Sequence, residues 1–176
     1  MQLRTARLAL RAWRDDDLTS LVSMNADPEV NVWLGGPALV RNSEAAFNLM
    51  RERLAAHGWG VLVVEDQAGT FLGICGLQPV RASLPIAPAT EIIWRFRREA
   101  WGHGYASEAA IAVLDASSQH GVPEEIVALV AWPNQRSAST AQRIGFRHDP
   151  SRDFLYPDLD ANHPLRAHRV FARGHF

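Results

Sequence analysis

The strongest constraint on how this chain folds is the stretch 90–117, TEIIWRFRREAWGHGYASEAAIAVLDAS, where an extended run passes through two glycines into a helix. TEIIWRFR predicts a strand. Beyond it Ala106, Ala109, Ala110, Val113, Leu114 and Ser117 recur at helical spacing, predicting an amphipathic helix with a small-residue face, ended by Gly121 and Pro123. A strand that feeds a helix through a glycine-bearing turn presents unpaired backbone N–H groups and the positive end of the helix dipole. Such a place favours phosphate. Gly102 and Gly104 let the backbone approach an anion with no side chain in the way, and Ala106 keeps the first helical turn close to it. Two glycines alone equally describe a tight turn, so their neighbours must decide. There is no G-x-x-x-x-G-K-[ST], and the third glycine and early βαβ placement of a dinucleotide fingerprint are missing. A different phosphate-bearing ligand is implied.

The remaining segments set this unit in a mixed architecture. RLALRAW alternates Leu8 and Leu10 with Arg7 and Arg11, the pattern of a half-buried strand. Asp15 to Asp17 supply caps for a helix carrying Leu18, Leu21 and Val22, interrupted at Asp27 and Pro28, and WLGGP closes the region as a turn. Ser43 is expected to cap a second helix, with Phe47, Met50 and Leu54 on one face and Gly58 as its stop. GWGVLVVE and TFLGICGL flank DQAG and predict an antiparallel hairpin. IVALVAW reads as a buried strand, the segment from about Asn134 to Ile144 as a helix stopped by Gly145, and LRAHRVFA as a last strand. With no repeat or linker, residues 1–176 are expected to form a single α/β domain with a mixed sheet and helices packed on it.

Composition narrows the partners. The chain is 47% hydrophobic and 21% charged with a formal net charge of −1, so it lacks the basic balance of a nucleic-acid binder. No segment approaches the roughly 20 apolar residues that cross a bilayer, and the single cysteine, Cys75, lies in the apolar run FLGICGL. A cytoplasmic protein without membrane or nucleic-acid partners is expected. The tail VFARGHF would allow a homodimer without requiring one.

With WGHGYASEA followed by WPNQRSASTAQRIGF, the sequence resembles the GCN5-related N-acetyltransferases (GNAT), and within them the ribosomal-protein-alanine acetyltransferase-like (RimJ/RimL-like) branch. The likeness runs nearly end to end, from LRTARLALRAWRDDDL to the closing hairpin YPDLDANHPLRAHRVFA. It implies the GNAT fold: an α/β (α+β) domain with a mixed, mostly antiparallel central sheet, a splayed parallel strand pair and helices on both faces. The pair would be EIIWRFR and IVALVAW, with the pantetheine arm of acetyl coenzyme A between them and backbone hydrogen bonds from Trp94 and Phe96. The family's turn follows [QR]-x-x-G-x-[GA], and its amides hold the pyrophosphate. Here its positions are Trp101, Gly102, His103, Gly104, Tyr105 and Ala106, with Trp101 in place of the usual Gln or Arg. The amides of His103, Gly104, Ala106 and Ser107 are the expected contacts.

The resemblance also implies an acyl-CoA-dependent enzyme that moves an acetyl group to a primary amine, on a small molecule or a protein N-terminus, in a ternary complex without a metal. Such chemistry needs a neutral amine, stabilisation of the developing oxyanion and a proton for the thiolate. Glu91 stands where many members carry the base; the bland alternative is a solvated carboxylate or an ion pair with an arginine. His163 and His168 are rival bases. Ala141 stands where many members carry an acidic tyrosine, and the branch's N-x-x-S motif instead offers Ser137 beside the sulfur, with Asn134 also fit to cap its helix. Trp33, Trp59 and Tyr156 would wall the acceptor pocket, and Asp153, Asp158 and Asp160 would attract a cationic amine. Without these groups the same cleft would make a non-catalytic acyl-CoA-binding regulatory module, and an acyl group larger than acetyl fits the same logic.

Overall fold

The alternation at Leu8 and Leu10 buries both side chains almost completely, and the elements around them appear in the computed structural model in the expected order. The structure describes residues 1–34, 41–122 and 125–173. The elements are β1 (Leu3–Arg4), β2 (Leu8–Arg11), α1 (Asp17–Ala26), α2 (Pro28–Asn31), α3 (Ser43–His57), β3 (Val61–Asp66), β4 (Phe71–Pro79), β5 (Thr90–Phe96), α4 (Tyr105–Ser117), β6 (Ile126–Ala131), α5 (Gln135–Arg143), β7 (Arg147–His148), β8 (Phe154–Leu155) and β9 (Ala167–Ala172). The turn expected at WLGGP, the helix-ending Pro123 and the last residues of the tail lie wholly or partly outside the described residues. The chain forms two compact units, Met1–Leu77 with Ile93–Val122, and Gln78–Ile92 with Pro123–Phe176, so β5 contributes residues to both.

In the first unit β1, β2, β3 and β4 pair antiparallel in sequence order. β3 is the deep strand, with Leu62, Val63 and Val64 fully buried. Two glycines set the spacing around β4. A Cβ on Gly76 would strike Gly60 O and Val61 Cα, and one on Gly73 would strike Arg95 O and Phe96 Cα. Only a bare backbone lets β4 lie that close to the end of β5. α4 buries Ala109, Ala110 and Val113 fully, as its small-residue face predicts.

The second unit begins with the parallel pairing of β5 to β6, in the register Thr90↔Ile126 and Glu91↔Val127. β6 pairs antiparallel with β9 from Val127↔Ala172 to Ala131↔His168, and β9 also receives the two-residue strands β7 and β8. Val80, Leu84, Ile86, Val127 and Val170 form its core cluster. Asn134 caps α5 by accepting from Ser137 N–H at 3.1 Å, and Gly145 ends the helix region at φ +90°.

Three local expectations are corrected. Ser43 is the first residue of α3, not its cap. It is fully buried and accepts a hydrogen bond from Asn25 Nδ2 at 2.9 Å, while Asn42 takes the cap position. Asp16 occupies the N-cap of α1 without a side-chain bond, and Val22 turns toward solvent while Leu21 is buried. Asp17, expected as a cap candidate, instead faces Arg11, which donates to both of its oxygens at 2.7 and 2.8 Å. Arg11 also donates to Glu65, and Arg14 N–H donates to Asp17 at 2.6 Å. A tertiary guanidinium outcompetes the local cap because it satisfies two buried carboxylates at once.

Burial opposes ionisation of Asp17, but hydrogen bonds from Arg11 and Arg14 N–H and their charges outweigh it and hold its pKa below the usual value. The carboxylate therefore stabilises the fold fully above the unfolded pKa of about 4, and this contribution is lost as pH falls through the lower folded value. Asp17→Ala should lower the urea-unfolding free energy at pH 7 by about 3 kcal/mol, because Arg11 is left partly uncompensated. The deficit should shrink in acid.

Candidate active site

The anion cradle predicted from the sequence lies in the first unit. Gly104 caps α4 with φ +78°, and Gly102 before it has φ +81°, conformations that an L side chain adopts only at a cost. No side chain caps α4, and the first helical N–H to find an intrahelical partner is that of Glu108, which donates to Gly104 O at 3.1 Å. The N–H groups of Tyr105, Ala106 and Ser107 thus stand at the positive end of the helix without intrahelical acceptors. Ser107 Oγ is buried there without a hydrogen-bond partner.

Side chains of the turn are engaged with one another. The His103 and Tyr105 rings stack with centroids 5.4 Å apart, and the Arg7 guanidinium lies 4.7 Å from the Tyr105 centroid. Arg7 Nη1 donates to His103 O at 3.0 Å, while Nε and Nη2 bind Glu108 at 2.7 and 2.6 Å. Glu108 also accepts from the Thr5 hydroxyl and from Arg7 N–H. Burial works to raise the Glu108 pKa, but these donors overcome it and keep the carboxyl below its usual range. The sequence signals for this cluster are slight: the second of two arginines in RTARL and one acid on an otherwise small-residue helix turn.

Trp101, which stands where the family motif has Gln or Arg, points its donor inward. Its Nε1 donates to Phe96 O at 2.9 Å, and Arg98 covers the ring at 5.0 Å while pairing with Glu29. Arg97 N–H donates to Leu72 O at 2.9 Å. Both polar ends of the Phe96–Arg97 peptide are therefore bound. Trp94, two residues earlier on β5, is half-buried. Of the expected acceptor-side aromatics in this unit, Trp33 is half-buried in the turn after α2, whereas Trp59 is buried and stacked on His57.

The second unit carries the remaining candidates. Glu91 is partly buried on β5 and accepts from Gln78 Nε2 at 2.9 Å, a partner with no signal in the residue pattern. Ser137 lies in the first turn of α5, where its N–H is used by the Asn134 cap. Ala141 is fully buried in the same helix. Tyr156, Phe154 and His168 cluster, with His168 centroids 5.1 Å from Tyr156 and 5.5 Å from Phe154. Arg81 donates to the Tyr156 hydroxyl and pairs with Asp158 at 2.7 Å, and His148 pairs with Asp153 at 3.0 Å. His163 Nδ1 accepts from Leu165 N–H at 3.1 Å. Among the described residues, no group of three or more His, Cys, Asp or Glu side chains is placed to hold a metal, and no helix is long and apolar enough to cross a membrane.

Comparison with known proteins identifies the family. A family model described as an acetyltransferase (GNAT) domain matches residues 7–147. The uncharacterized protein YkkB of Bacillus subtilis (strain 168) is 31% identical over 149 residues, 84% of this chain and 86% of the relative. An acetyltransferase from Agrobacterium tumefaciens str. C58 superposes with a TM-score of 0.79 at 26% identity, covering 99% of this chain and 95% of that one. RimL, a ribosomal L7/L12 alpha-N-protein acetyltransferase solved with coenzyme A, superposes with a TM-score of 0.74 at 19% identity, covering 98% of this chain and 97% of its own. The last likeness is one of fold.

Burial pushes the His168 pKa below the ordinary value of 6.5, against a weaker opposing bond to Arg166 O. A depressed histidine pKa means that the unfolded chain takes up the proton first, so stability falls as pH drops below about 6.5 toward the folded value. NMR titration of the ring should give a midpoint under 6.5, and His168→Phe should remove that part of the acid sensitivity.

Proposed function

This chain belongs to the acetyltransferase (GNAT) domain family, and we propose that it transfers an acetyl group from acetyl-CoA to a primary amine by direct attack in a ternary complex. Membership makes it an acyl-CoA-dependent N-acyltransferase. The observation that carries the placement of the cosubstrate is the turn 101–107, where helix-start N–H groups and a buried, unpartnered Ser107 Oγ face no protein acceptor. A pyrophosphate supplies the acceptor oxygens such a turn lacks. We assign its contacts to the amides of His103, Gly104, Ala106 and Ser107, beside Gly102 and Tyr105. Trp101 serves through its backbone and through its hold on Phe96, since its indole N–H is already committed. Backbone groups of Trp94 and Phe96 are assigned to the pantetheine arm; the Phe96 carbonyl retains one lone pair beyond the bond from Trp101.

Bound acetyl-CoA supplies the thioester carbonyl carbon, to which the amine nitrogen bonds as the carbon–sulfur bond breaks. Glu91 takes the proton from the attacking amine, directly or through water, and Gln78 steadies the carboxylate that receives it. The Ser137 hydroxyl is assigned as hydrogen-bond partner of the departing thiolate, held in place because Asn134 fixes the first turn of α5. A thiol pKa near 8.5 makes the thiolate a tolerable leaving group even so. Tyr156 and Trp33 remain the acceptor-side assignments. Two of the expected acids already have partners, Asp158 in an ion pair with Arg81 and Asp153 in a hydrogen bond with His148, which weakens any preference for a polycationic acceptor. A protein N-terminus or a small amine with a single positive charge suits these surroundings.

Isothermal titration should show acetyl-CoA binding to the folded protein; its absence would remove the cosubstrate assignment. In a thiol-release assay with a panel of peptides, amino acids and polyamines, Glu91→Gln should lower turnover roughly 100-fold while acetyl-CoA affinity holds. Unchanged turnover at saturation would transfer the base to His168. Release with longer acyl-CoAs at rates above acetyl-CoA would replace the acyl group, and no turnover with any acceptor would favour a binding module.

A further inference from the structure

We infer that Arg7 is a positioning residue for the cradle: by holding His103 O it fixes the direction of Gly104 N–H. The inference rests on the pyrophosphate reading of the turn 101–107. In a planar trans peptide the carbonyl and the following N–H point in opposite directions. The only cis bond among the described residues is Ala87–Pro88, so the His103–Gly104 peptide is trans. A guanidinium that grips His103 O at 3.0 Å therefore turns Gly104 N–H away from itself.

The grip matters because of where that peptide sits. Gly102 and Gly104 both have positive φ, and glycine visits either sign of φ with little penalty. The His103–Gly104 peptide turns about ψ of His103 and φ of Gly104, and the glycine torsion resists that rotation weakly, so the turn alone would spread Gly104 N–H over several directions. Arg7 is itself held at several points. Its Nε and Nη2 engage Glu108, its own N–H donates to Glu108 at 3.0 Å, and its plane covers Tyr105. Glu108 is fixed in turn by the Thr5 hydroxyl, which also accepts from Leu8 N–H at 2.9 Å. The bend between β1 and β2 and the first turn of α4 thus brace one rotatable peptide between them. A lysine cannot reproduce this, because a single ammonium cannot span His103 O and Glu108 with the same planar fork.

Two simpler roles compete: Arg7 as a mere countercharge to Glu108, or as a loose cation near the anion. Steady-state kinetics separates them, with acetyl-CoA and with S-acetylpantetheine, which lacks the pyrophosphate. Arg7→Gln should raise the KM for acetyl-CoA about tenfold, the loss expected for one misdirected hydrogen bond to a charged group. It should leave kcat at saturation, and kcat/KM for S-acetylpantetheine, near wild type. Arg7→Lys should lose nearly as much although the charge remains, and Arg7→Gln/Glu108→Gln should not recover. Wild-type acetyl-CoA affinity in the lysine variant would overturn the inference in favour of simple charge, and recovery in the double variant would overturn it in favour of countercharge. An equal loss with both thioesters, or a loss explained by a drop in melting temperature, would assign Arg7 to general stability and also overturn it. Failure of the cradle reading looks different: the wild-type protein itself would not distinguish acetyl-CoA from S-acetylpantetheine.

Discussion

Backbone N–H groups at the start of a helix are available to a ligand only if the segments around them are held by other means. That constraint organises the first unit. The end of β5 is fixed through its own peptide, with Phe96 O bound by the Trp101 indole and Arg97 N–H bound to Leu72 O. Gly73 lets β4 lie against Arg95 and Phe96 closely enough for that geometry. The turn is fixed through a carbonyl, His103 O, and through stacked rings. Each of these contacts uses a side-chain donor or a backbone group other than the N–H groups of Tyr105, Ala106 and Ser107. Stability and availability are reconciled by dividing them between atoms of the same few residues.

What the sequence made legible was periodic. The small face of α4, the hairpin of β3 and β4, and the continuous apolar run of β6 each recur at the spacing their packing demands, and each is found where expected. The parallel pairing of β5 and β6 came from the resemblance, since no pattern in either strand specifies its neighbour. Contacts made once, between distant residues, left no trace. Arg7 and Glu108 are 101 positions apart, and nothing in RTARL or ASEAA points to the other. The failed caps have the same origin. Ser43 and Asp17 have the chemistry of N-caps, but Asn25 and Arg11 engage them first, because burial makes those bonds worth more than a bond to an exposed helix end.

Charge in the second unit illustrates a related difficulty. Asp153, Asp158 and Asp160 read as an acidic group that would draw in a cation, a statement about formal charge alone. The fold adds His148 to one and Arg81 to another, and Arg81 also binds the Tyr156 hydroxyl. The field such residues exert depends on partners that sequence spacing does not disclose. Glu91 gains Gln78, which neither neutralises it nor donates more than a neutral hydrogen bond. That bond restricts the orientation of the carboxylate.

The tryptophan at position 101 becomes intelligible in the same terms. A Gln or Arg there would place a flexible polar group at the turn; an indole offers one donor and a large apolar face. Its donor closes onto Phe96 O and its face receives Arg98, which is itself drawn to Glu29. The polar side-chain work at this turn passes to Arg7, which comes from the other end of the unit's sequence and grips the loop from its carbonyl side. Trp101 orders the strand that leads in, and Arg7 orders the His103–Gly104 peptide. A turn built in this way tolerates a change of side chain at position 101 only while a donor still reaches Phe96 O, whereas its glycines remain required by their backbone conformation alone.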